Sequence, residues 1–251
     1  MIVDCHVHMR ANPSRSPGYL KGARGEIAAP EQILALMDEA GVHRAVVFPT
    51  FELHPDNEGL AQAVNAHPER FIGFAWLNPH TGEAAIEELE RLVLEQGFRG
   101  LKLHPLLHAF NANDEALAGR LVQRAGEMDV PVLVHSGHAP FSLPWQIADL
   151  ARRHPGTVII MAHMGGQFTY LDDAVGLAAS VPNLYLDTTA IVMHHKIRDA
   201  VERAGAYKVL FGSDAPHIHP RVQMEAIRCA KLAPEDEALV LGENALRLTA
   251  G

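Results

Sequence analysis

The chain has little cysteine, no basic block and no long apolar run, and each absence removes a class of function. Its two cysteines, Cys5 and Cys229, cannot build a disulfide framework. Both read as free, small apolar side chains. Lysine and arginine number 21 against 30 aspartates and glutamates, a net charge of −9 with histidine neutral. With no basic cluster, neither nucleic acid nor an anionic membrane surface is an expected partner. No apolar stretch reaches the about 20 residues of a membrane-spanning helix. No basic n-region with an apolar h-region precedes the first predicted strand, so a cytoplasmic location is expected. No glycine-rich phosphate loop follows that strand, which argues against an open, doubly wound nucleotide-binding sheet. Linkers, low-complexity tracts and internal repeats are also missing, and residues 1–251 read as a single domain.

What is present is an ordinary globular balance, 48% hydrophobic and 20% charged, with an unusual 16 histidines. Short apolar runs alternate with amphipathic segments. Predicted strands are Ile2–His6, Arg44–Pro49, Phe71–Leu77, Gly100–Leu103, Val130–Val134, Val158–Met161, Leu184–Leu186 and Val209–Phe211. Their β-branched, continuous character suits strands buried on both faces. Predicted helices begin near Pro30, where a first turn tolerates proline, with Gly41 as the stop. They continue at Asn57–Ala66, Ala84–Gln96, Glu115–Met128, Trp145–Arg153, Leu171–Ala179, Lys196–Ala204 and Arg221–Lys231, with a C-terminal cap over Glu235–Leu248. Ala11–Gly25, rich in Gly, Pro, Ser and Arg, reads as a long loop, and Arg10–Gly25 is the candidate lid. Strict alternation of eight strands with eight helices implies an α/β fold with a parallel sheet closed as a (β/α)8 TIM barrel.

Active-site residues of such barrels sit at the C-terminal strand ends. Histidine, lysine or aspartate ends five of the eight predicted strands. Asp4-Cys5-His6-Val7-His8 opens the chain, and simple alternation puts Asp4, His6 and His8 on one face with Cys5 and Val7 on the other. Two imidazoles two residues apart on one strand can reach a common ion, and neutral imidazole suits zinc, iron, copper or nickel. Later strand ends carry Lys102 and His104, His135 and His138, His163, then Asp214 and His217. Alone, each has a plain structural role: a hydrogen-bonded histidine, a helix cap, a solvated lysine. Their convergence on one rim points to a metal site.

In this pattern the chain resembles the amidohydrolase superfamily. It is similar to the amidohydrolase-related branch, which holds metal-dependent hydrolases and lyases of the aminocarboxymuconate-semialdehyde decarboxylase type. The matching motifs are Asp4-x-His6-x-His8, Gly100-Leu101-Lys102-Leu103-His104-Pro105, Val134-His135, Ala162-His163-Met164-Gly165-Gly166, Gly212-Ser213-Asp214-Ala215-Pro216 and Gly242-Glu243-Asn244-Ala245. The resemblance implies a distorted barrel with a divalent metal, usually zinc. In the single-metal pattern, which is favoured, His6, His8, His135 and Asp214 are the ligands, and His163 lies beside the metal's water. In the two-metal pattern a carboxylated Lys102 bridges two ions and His135 and His163 hold the second.

The leading expectation is hydrolysis of an amide, lactone or ester bond in a small, carboxylated molecule by a metal-activated water, with Asp214 and His163 catalytic. The alternative is non-oxidative decarboxylation of an unsaturated or aromatic acid with the same ligands. A non-catalytic metal-binding barrel is a third reading, which leaves Lys102, His163 and Asp214 without a use. Candidate substrate contacts are Arg10, Lys102, His104, His138 and His217, with Phe141 and Trp145 as an apolar wall or as helix packing. Barrels of this type often pair, so a homodimer is the expected assembly.

Overall fold

A computed structural model describes residues 1–11, 28–166 and 168–250. The expected alternation is present. The strands are β1 (Val3–Met9), β2 (Arg44–Pro49), β3 (Phe71–Gly73), β4 (Ala75–Trp76), β5 (Leu101–Leu103), β6 (Val132–Val134), β7 (Ile159–Met161), β8 (Leu184–Asp187) and β9 (Val209–Leu210). All pair in parallel, in the orders β1-β2-β3 and β4-β5-β6-β7-β8-β9. The predicted Phe71–Leu77 strand is one barrel stave split at Phe74, so nine segments make eight staves. The Phe74 N–H still donates to the Val47 carbonyl at 2.9 Å across the break. On the far side β1 closes the ring on the residues after β9. Cys5 N–H donates to Phe211 O (2.8 Å), Asp214 N–H to His6 O (2.9 Å) and His8 N–H to Ala215 O (2.8 Å). The result is the (β/α)8 barrel.

Helices α1 (Pro30–Ala40), α2 (Asn57–Ala66), α3 (Glu83–Leu94), α4 (Pro105–His108), α5 (Arg120–Glu127), α6 (Pro144–Arg153), α7 (Leu171–Ser180), α8 (His194–Ala204), α9 (Pro220–Cys229), α10 (Pro234–Ala238) and α11 (Asn244–Leu248) surround it. Proline opens α1, and Gly41 closes it at φ 77, a left-handed value that favours glycine. The predicted Glu115–Met128 helix begins with a wider π turn at Glu115–Gly119. One short helix, α4, was not expected; Pro105 starts it and His104 caps it. The expected lid loop lies, beyond Ala11, outside the described residues. Among the described residues no helix is long and apolar enough to cross a membrane.

Buried apolar residues form two clusters. The larger joins the outer faces of the strands to the helices. The smaller fills the barrel with Val46, Phe48, Phe74, Trp76, Leu133 and Ile160 among others. This division corrects the expected alternation in β1. The β1–β2 register shifts between Asp4 and Val7. Cys5 therefore packs in the inner cluster and Val7 in the outer one, not on a shared face. A bulge inserts one residue and changes which face the following side chains take, and here it precedes His8.

At the other end of the barrel Lys208 is buried, and its Nζ donates to Ala178 O at 2.6 Å and Val181 O at 2.7 Å. These carbonyls end α7, where a cation also meets the negative end of the helix dipole. Lys208→Met removes the side-chain donor from both and leaves Val181 O with only the Leu184 N–H at 3.2 Å. We expect it to lower stability by about 2–3 kcal/mol, seen as a thermal midpoint several degrees lower with the site's metal affinity unchanged.

Candidate metal centre

Two glycine contacts bring the catalytic-rim loops together. Gly137, after β6, has φ 93, and Gly166, after β7, has φ 135. A Cβ on Gly137 would lie 2.3 Å from the Gly166 Cα. Only glycine at this crossing lets the His135 and His163 segments pack so closely.

Three imidazoles surround one carboxylate. His6 Nδ1 lies 2.8 Å from Asp187 Oδ2, His8 Nδ1 is 3.3 Å from Pro49 O, and His163 Nδ1 is 3.3 Å from Thr189 O. Each Nδ1 faces an acceptor and so carries the ring proton, leaving a lone pair on each Nε2. Those Nε2 atoms turn inward. His8 Nε2 is 3.2 Å and His6 Nε2 3.5 Å from Asp214 Oδ1. Ligand atoms of His6, His163 and Asp214 all lie within 4.8 Å of one another. Asp214 Oδ1 is buried and accepts no hydrogen bond among the described residues. Lone pairs aimed at a buried carboxylate oxygen repel unless a cation lies between them. The donor set therefore fits a divalent metal ion.

Electrostatics favour the ligating forms. Burial lowers the basicity of His6, His8, His135 and His163, keeping them neutral. Asp214 has φ 72, a left-handed conformation that Asp and Asn accept more readily than most residues.

The other candidates occupy distinct places. His135 Nδ1 contacts His163 Nε2 at 3.2 Å, and its Nε2 contacts His138 Nδ1 at 3.0 Å. His135 thus stands against the tight donor group through His163. Lys102 is fully buried, with Nζ 3.4 Å from His6 Nε2 and 4.6 Å from the Phe48 ring centre. Burial pulls its ammonium down to about 7. His104 stacks on His135 with ring centres 3.8 Å apart. His217 packs edge-on to His8 at 5.4 Å, and Arg10 Nε reaches Glu52 Oε1 at 4.0 Å. Trp145 does not wall the site. It is 46% exposed and packs against Tyr170. Phe51 and Trp76 take that place, Phe51 stacking on His8 at 4.8 Å and meeting Trp76 at 6.0 Å.

Sequence reasoning passed over Asp187, whose place at the end of a strand was its only signal. Its Oδ2 holds His6, and its Oδ1 accepts the His163 N–H at 2.7 Å and the Thr189 N–H at 3.1 Å. His163 has φ 55, an uncommon value for a residue with a side chain. One carboxylate thus fixes a histidine tautomer and a strained backbone on opposite sides of the site. Asp4 does related work, accepting His6 N–H (3.1 Å) and Ser213 N–H (2.9 Å). Loss of such an outer partner typically weakens metal binding about 10- to 100-fold. We expect that loss for Asp187→Ala in a metal-competition titration, with partial recovery in Asp187→Asn. Unchanged affinity would remove Asp187 from the metal's support.

The family model for amidohydrolases matches residues 3–248. The chain belongs to the amidohydrolase family. Membership makes it a metal-dependent enzyme of amidohydrolase type, without fixing the bond it breaks. The chain is 26% identical over 136 residues to 2-amino-3-carboxymuconate-6-semialdehyde decarboxylase of Dictyostelium discoideum, covering 45% of this amidohydrolase and 38% of that protein. It is 24% identical over 282 aligned positions to the gamma-resorcylate decarboxylase of a Rhizobium species, covering 86% and 85%. Among solved structures, the dihydroxybenzoic acid decarboxylase of a Polaromonas species has bound manganese and the inhibitor 2-nitroresorcinol. It superposes with a TM-score of 0.74 at 19% identity, over 99% of this chain and 96% of that one. That likeness is one of barrel architecture.

Proposed function

We propose that this amidohydrolase is a non-oxidative decarboxylase of a small aromatic or unsaturated acid. The observation that carries the reading is the ring-lined approach to the metal centre: Phe51, Trp76 and His104 pack against one another above the histidines, with the cation of Lys102 buried beneath. Flat apolar walls around a single dry cation suit a planar acid. The two curated relatives described above are decarboxylases, which moves the reading away from the hydrolysis that the motifs first suggested.

In the proposed reaction the bond between the substrate carbon and its carboxylate breaks. CO2 leaves, the electron pair stays on carbon, and a proton is delivered there. A bound divalent ion supplies Lewis acidity toward a substrate oxygen. Asp214 is the proposed proton carrier, and His163 positions the reacting end. Burial of Lys102 and the histidines excludes water, which strengthens each charge interaction. His6, His8 and Asp214 are the proposed ligands of one ion, with the His135–His163 pair supplying a further nitrogen. Zinc, implied by the sequence resemblance, competes with manganese, the metal of the Polaromonas relative, and loading each in turn decides between them.

The test is incubation of metal-loaded protein with panels of hydroxybenzoates and of lactones. Equimolar CO2 and decarboxylated product are expected from a benzoate. Lactone opening without CO2 from any acid would overturn the reading. Metal analysis is expected to give about one equivalent per chain. Two equivalents, or a mass addition at Lys102 consistent with carboxylation, would replace the single-ion site by a bridged pair.

A further inference from the structure

A buried N–H without an acceptor costs about 1–3 kcal/mol, so native proteins keep few of them, often where a ligand completes the bond. Two such groups adjoin at this site. Trp76 is fully buried, and its Nε1–H, a donor only, has no partner among the described residues. His104 is 3% exposed, and its Nε2 likewise has none. The tautomer of His104 follows from its surroundings. Its Nδ1 accepts the Leu107 N–H at 3.2 Å, the bond that caps α4, so the ring proton sits on Nε2. His104 Nε2 is therefore a donor and not a metal ligand.

The two rings are parallel to within 4°, with centres 5.5 Å apart. Phe51 meets both edge-on, at 6.0 and 5.5 Å. His104 also stacks on His135 at 3.8 Å, which ties the pair to the metal centre. Two neutral donors on a flat wall are suited to a neutral or weakly charged oxygen. An ionised carboxylate calls for a stronger, charged partner, which a bound divalent ion would supply.

We propose that Trp76 Nε1–H and His104 Nε2–H form an oxygen-recognition subsite, which holds a hydroxyl or oxo oxygen on the substrate's carbon framework, separate from its carboxylate. The inference rests on the aromatic-acid reading and narrows it to acids with a second oxygen substituent. A site built to bond a substrate hydroxyl strongly disfavours the analogue that lacks it, because its own buried groups are then left unpaired.

The test uses the manganese-loaded full chain and two probes that differ by one hydroxyl, 2-hydroxybenzoate and 2,6-dihydroxybenzoate, titrated by calorimetry. In the unmodified protein the second hydroxyl is expected to tighten binding about tenfold or more. Trp76→Phe keeps a ring and deletes the donor. His104→Asn keeps an acceptor for the Leu107 N–H, since asparagine is a favoured helix cap, and deletes the Nε2 donor. In each variant the advantage of the second hydroxyl, read as the ratio of the two affinities, is expected to shrink to about twofold. A full advantage retained in both variants, equal losses for both probes, or no binding of either probe to the unmodified protein would overturn the subsite. In the first of these cases the two donors hold only a fixed water. CO2 release is scored separately. A hydroxyl-dependent affinity without any decarboxylation would support the subsite while sinking the decarboxylase reading.

Discussion

Asp214→Asn will reduce turnover by roughly 10³-fold or more while leaving the barrel folded. The fold survives because asparagine accepts the left-handed conformation that Asp214 adopts at φ 72. The backbone bonds from Asp214 N–H to His6 O and from His217 N–H to Asp214 O, both 2.9 Å, are unaffected. Activity is lost because the carboxylate is the one negative charge that His6 and His8 both face, at 3.5 and 3.2 Å. An amide there brings no charge to balance a divalent cation and cannot carry a proton to carbon. General acid–base groups alone contribute about 10²–10⁴-fold, and weakened metal binding adds to that loss. Three readouts separate the causes: rate at saturating metal, metal content after dialysis, and the thermal midpoint of the metal-free protein. A rate within a few-fold of the unmodified protein would remove Asp214 from the chemistry. A collapsed midpoint would assign it to folding instead.

The architecture was legible because it rests on local pattern. Apolar runs bounded by glycine, proline and polar residues give staves and helices, and eight alternations leave few ways to close. The strand-end rule then located the histidines, Lys102 and Asp214 without any contact information. The missing features depend on contacts across the barrel. Asp187 looks like a helix cap until His6, 181 positions away, and His163, 24 positions away, are seen to share its two oxygens. The bulge in β1 is set by pairing with β2, and no residue between Asp4 and Val7 announces it. Trp76 reads as strand filling, and only its stacking on His104 shows an indole beside the metal centre. Trp145 fitted an apolar wall or helix packing equally well by sequence, and α6 directs it to the surface.

Lys102→Met will make the protein more stable and a far poorer catalyst. Nζ of Lys102 is buried, makes no salt bridge among the described residues, and rests over the Phe48 ring beside a histidine nitrogen. Burial of a charge without a paired counter-ion opposes folding. Methionine is of similar length and fills the same apolar channel, so the substitution should raise stability by about 1–3 kcal/mol. A group that destabilises the fold yet occupies the centre of a candidate site fits the trade-off between stability and activity. The catalytic loss should fall on kcat more than on KM. A cation that only anchored the departing carboxylate would stabilise the reactant more than neutral CO2 and would slow the reaction. To assist, Lys102 must face the electron density that moves into the carbon framework and its oxygen as the bond breaks. Removing one preorganised partner of developing charge costs about 10²–10³-fold in rate. Steady-state kinetics on the metal-loaded variant, with melting curves of both proteins, test the pair of effects together. A higher KM with kcat unchanged would make Lys102 an anchor for the ground-state acid, and a lower melting point would make it a structural lysine.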